Sequence, residues 1–111
     1  MERIHYAGDS LLTGTEIARA LLDYAGALAK NEESATVDIP VRHHDGTIGR
    51  ANFLVGPASQ LVSESEVSPY EELIDTALVE HLVREADRLR PPRPISAVGE
   101  PDAGLDLIDD L

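Results

Sequence analysis

The sequence predicts an α+β fold, a small two-layer domain whose antiparallel sheet of three or four strands carries two helices on one face, in the order (β)αβββα. Three observations predict it. Two stretches repeat apolar residues at helical spacing, residues 37–55 alternate apolar with polar residues as a half-buried strand does, and turn-forming residues separate them. The 111 residues fit one domain, large enough to bury a core without staples. Cysteine is absent, which excludes disulfides, thiolate metal ligation and thiol chemistry.

A short opening strand is expected around Ile4–Tyr6. The first helix is placed at 14–30. Thr13 reads as its N-cap, Glu16 as the reciprocal partner of a capping box, and Leu12 with Ile17 as a hydrophobic staple. Ile17, Ala20, Leu21, Tyr24, Ala25 and Leu28 then share one face, and polar residues 31–34 end the pattern.

Val37, Ile39 and Val41 alternate with Asp38, Pro40 and Arg42; Ala51, Phe53 and Val55 alternate with Arg50, Asn52 and Leu54. A hairpin turning through Asp45, Gly46 and Thr47 sets Val41 opposite Ala51 and Ile39 opposite Phe53, and makes one face wholly apolar. The same register sets Arg42 opposite Arg50. A second turn through Pro57, Ala58 and Ser59 brings in a third strand around Leu61 and Val62 and places Leu54 beside Val62 on the outer face.

The second helix is placed at 69–90. Ser68 reads as N-cap, Pro69 as its first residue and Glu71 as the capping-box acid. Ile74, Leu78, Leu82, Ala86 and Leu89 form the buried stripe, Arg84, Arg88 and Arg90 suit the C-terminal dipole, and Pro91 with Pro92 stops it. His81 and Glu85 are spaced for a surface pair. Residues 1–90 thus form the domain, and 91–111 a Pro-rich linker with an acidic, flexible tail that holds a third of the net charge of −12.

That charge argues against binding nucleic acid through phosphates and against anionic membrane surfaces. No secretory leader or membrane-spanning run is visible, so a soluble cytoplasmic protein is expected. No phosphate-cradling glycine loop, nucleophile elbow or metal-binding helix motif occurs. His43 and His44 are adjacent in a strand and point to opposite faces, so they suit a hairpin tip better than one metal ion. No metal and no cofactor is therefore expected.

The outward residues Ile48, Leu54 and Val62 leave apolar surface exposed, which calls for a partner, and a homodimer is the expected one. Leu107, Ile108 and Leu111 share a face if the tail is helical and form a second candidate contact for a protein partner. The expected role is a non-enzymatic interaction or regulatory module that self-associates. The alternative is a small-molecule or anion-binding subunit, catalytic or not, with Arg42, Arg50 and His44 at a protomer interface. A third reading, an acidic inhibitor of a nucleic-acid enzyme, rests on charge alone.

Overall fold

The computed structural model describes residues 1–91. The tail residues Leu107, Ile108 and Leu111 lie outside them. The chain forms β1 (Glu2–Tyr6), β2 (Asp9–Thr13), α1 (Thr15–Lys30), β3 (Ala35–Arg42), β4 (Ile48–Val55), β5 (Leu61–Ser65) and α2 (Thr76–Leu89). The class is α+β, with one antiparallel sheet in the order β4-β3-β2-β1-β5. It has five strands rather than three or four.

The additional strand is β2, which returns on β1 through the two-residue turn Ala7-Gly8. Both turn residues have positive φ, 53° and 81°, the conformation that a two-residue hairpin matched to sheet twist requires. Alanine rarely adopts it, so the turn carries none of the usual Asn-Gly or Asp-Gly signature.

Thr13 closes β2 and is not a helix cap. Its hydroxyl donates to the Pro40 carbonyl at 2.7 Å inside the core, and Gly14 stands at the N-cap of α1 with no side-chain cap bond. The Glu72 carboxylate serves the helix start instead, accepting from the Thr15 amide at 2.8 Å and from the N-terminal ammonium at 3.0 Å. Leu12 lies in β2, between Arg3 of β1 and Arg42 of β3.

The β3–β4 hairpin is slipped by two residues from the sequence expectation. Val41 lies opposite Gly49, Ile39 opposite Ala51 and Val37 opposite Phe53, so the loop is longer and runs through His43–Thr47. A shift of two preserves faces, and Val37, Ile39, Val41, Phe53 and Val55 are all buried. The longer loop is closed by its own chemistry: the Asp45 carboxylate accepts from the amide and hydroxyl of Thr47, and the His43 amide donates to the Thr47 carbonyl.

Two departures shape the sheet. The strand β5 pairs with β1, not with β4. And β2 meets β3 only at Leu12 and Arg42. The register explains the second: with Leu12 opposite Arg42, β2 and β3 overlap only near their ends, since Pro40 falls opposite Gly14, past the end of β2, and Ser10 falls opposite His44, past the end of β3. Joined so narrowly, the sheet curls. Tyr6 of β1 reaches β4, its ring 5.1 Å from that of Phe53 and its hydroxyl donating to the Leu54 carbonyl at 2.7 Å. In a flat sheet these strands would stand about 14 Å apart, three strand spacings.

The core fills the inside of this curl with Ile4, Ile17, Leu21, Leu28, Ile39 and Val55, and α2 adds Leu82, Ala86 and Leu89 against α1. The second helix starts at Thr76, seven residues later than its sequence signals place it. Asp75 caps it, accepting from the Leu78 amide at 3.1 Å. Residues 66–75 form an irregular strap held by side-chain contacts that a helix would break: Tyr70 under Arg42, Glu72 on α1, and Leu73 in the core. Glu85 pairs with Arg88 rather than with His81.

Candidate functional site: two grooves on the curled sheet

The narrow β2–β3 junction leaves an outer groove of about 690 Å³, floored by Leu12 and rimmed by Arg3, Arg42, His43, His44 and Arg50. The structure therefore brings together the three residues expected to hold an anion, Arg42, Arg50 and His44, although Arg42 now faces Ile48 and Arg50 faces Pro40. His43 joins them, so the two histidines share this groove instead of dividing between opposite faces.

Most of this positive charge is already engaged. The Glu66 carboxylate accepts from Arg3 at 2.6 and 2.8 Å and is held below the usual carboxylate range by that contact. Arg50 donates to Asp38 at 3.2 Å. Arg42 has no carboxylate partner among the described residues. It lies 5.6 Å over the Tyr70 ring and donates to the carbonyls of Gly46 and Glu71, each at 2.8 Å. Only its Nε, buried, is left without a partner. Arg42 thus ties the hairpin tip to the strap.

The second groove, about 1070 Å³, opens where the tip of the β1–β2 hairpin, the end of β4 and the β4–β5 loop meet. Tyr6, Ala7, Leu54, Pro57, Ala58 and Val62 give it apolar walls, and Ser34 closes one end. Leu54 and Val62 are 61% and 57% exposed. They come together here as neighbours across a gap, not as a pair in a hairpin. Ile48, 59% exposed, stands at the far end of β4. Tyr6, which shapes this groove, was hidden at the sequence level because its position next to Leu54 follows from the curl.

Three carboxyl groups are held low by partners: Asp45 by the Thr47 hydroxyl, Glu66 by the Arg3 guanidinium, and Glu72 by the Thr15 amide. A carboxylate whose pKa is depressed by folding contributes stability above its unfolded pKa, and that contribution disappears as pH falls through the folded value. Acid titration followed by circular dichroism is expected to show stability falling below about pH 4.5, and Glu72→Gln to flatten that fall. An identical profile in the variant would contradict the role given to Glu72.

Among the described residues no group of three or more His, Asp or Glu side chains is placed to hold a metal ion, and no helix is long and apolar enough to cross a membrane. Compared with protein-family models, with curated proteins and with solved structures, the chain matches none, and its function is read from these two grooves and the edge of β4.

Proposed function

We propose that the protein is a non-enzymatic interaction module that self-associates through the edge of β4. One observation carries this reading: β4 is eight residues long, has a strand partner on one side only, and exposes Ile48 and Leu54. The ladder parity turns the amides and carbonyls of Ile48, Arg50 and Asn52 away from β3. Such an edge is a template for another strand, and here it lacks proline and lysine, two common guards.

A second copy fits the edge by its own sequence. In an antiparallel two-fold pairing centred on Ala51, Ile48 of one copy meets Leu54 of the other, and Arg50 meets Asn52. Apolar then faces apolar, and no two arginines stand opposite each other. Val62, across the groove from Leu54, extends the apolar surface.

Leu54→Asp is expected to weaken self-association by about tenfold or more, equivalent to ~1.4 kcal/mol, while Ile74→Asp, an exposed strap residue, leaves it unchanged. Sedimentation equilibrium of both variants reads this directly. Equal effects from the two substitutions would refute the assignment to β4.

Anion binding is the second reading, supported by the convergence of Arg42, Arg50 and His44 on the outer groove. It ranks lower because Arg50 is already paired and two donors of Arg42 are taken by carbonyls.

A further inference from the structure

The groove between the β1–β2 tip and the β4–β5 loop exposes Leu54 and Val62 beside Tyr6, Pro57 and Ala58, with one carboxylate, Asp9, on its lining. We propose that its occupant is the chain's own C-terminal segment, residues 104–111, docked in cis.

Position favours this occupant. The carbonyl of Leu89, at the end of α2, accepts from Asn31 at 3.0 Å, and Arg90 pairs with Asp23 of α1. The chain therefore leaves the described structure beside the end of α1. Ser34, three residues past Asn31, is itself part of the groove lining, and three residues span at most about 11 Å. The linker 91–104, rich in proline, reaches roughly 40 Å at ~3.1 Å per residue, more than the span from Asn31 to Ser34.

Composition favours it too. The segment GLDLIDDL places Leu105, Leu107, Ile108 and Leu111 within eight residues, the densest apolar run outside the folded domain. Its apolar residues suit the apolar groove walls in chemical kind. The outer groove is the competing location for an acidic peptide. Two of its three arginines are already paired with carboxylates, Arg3 with Glu66 and Arg50 with Asp38, and the third, Arg42, has two donors committed to backbone carbonyls.

Docking in cis covers Leu54, so the tail and a second copy compete for that residue. This regulatory consequence rests on the proposed self-association; the docking itself does not.

Because the chain has no cysteine, an engineered pair reports the docking without interference. In the full chain at low concentration, Ala58→Cys with Ile108→Cys is oxidised with glutathione and compared with Val67→Cys, on the outer groove, paired with the same Ile108→Cys. Both body positions are exposed. Docking predicts an intramolecular disulfide at Ala58 at least about tenfold faster than at Val67, since a docked segment exceeds the millimolar effective concentration of a free tether. Equal rates, a faster reaction at Val67, or cross-linking mainly between two chains would each overturn the proposal. Because self-association is not required for the disulfide, its failure and the failure of the dimer are read separately.

Discussion

Gly14→Ala is expected to destabilise the fold by about 2–3 kcal/mol, the upper range for overpacking a tight site. A Cβ at this position overlaps the carbonyl oxygen of Leu73, a backbone atom that no rotamer change can move aside. Leu73 is buried, and its neighbour Glu72 holds the start of α1 and the chain's N-terminus. Relief of the overlap therefore shifts the strap as a unit and loosens three contacts together. For a domain of this size the melting temperature should fall by roughly 10–20 °C. A melting temperature within a few degrees of the parent protein would show that the strap does not approach α1 as described.

Arg42→Ala is the second large effect, expected at about 2–3 kcal/mol from lost hydrogen bonds of a charged donor, with a smaller part from the aromatic contact. Gly46 and Glu71 would lose the donor to their carbonyls, and the hairpin tip would part from the strap. Arg42→Lys should recover less than half of the loss, because one ammonium cannot span two carbonyls as a planar guanidinium does. Urea unfolding measures both. A structural role predicts the same loss with and without inorganic phosphate. A loss that appears only with phosphate present would assign Arg42 to anion binding and promote the second reading.

Local patterns in the sequence carried much of the architecture. The first helix was legible to within one residue because Ile17, Leu21, Tyr24 and Leu28 leave a continuous stripe that all becomes buried. The inward and outward faces of β3 and β4 were legible because strand parity survives a two-residue slip. What failed was information held outside the local window. Ser68-Pro69-Tyr70-Glu71 has strong helix-start chemistry, yet Tyr70, Glu72 and Leu73 find better partners on Arg42, α1 and the core. The pairing of β1 with β2 depends on a turn at Ala7-Gly8 whose sequence does not announce it, and that of β5 with β1 joins residues far apart in the chain.

The site shows the same division. Exposure of Ile48, Leu54 and Val62 followed from alternation alone. Their spatial relation did not, because it depends on how far the sheet curls, and β2 and β3 meet only near their ends, a long-range register that no local pattern announces. Arg42, Arg50 and His44 likewise share a groove for a reason different from the one their sequence spacing suggested: they rim a split in the sheet, not a pair of facing positions.

Self-association through β4 is tested most directly by sedimentation velocity of the unmodified full chain across a range of concentration. The exposed strand edge predicts a sedimentation coefficient that rises with concentration from monomer toward dimer and no further, as a two-fold pairing closes on itself. A single monomeric boundary up to roughly millimolar concentration, where affinities of only about −4 kcal/mol would already show, would contradict it.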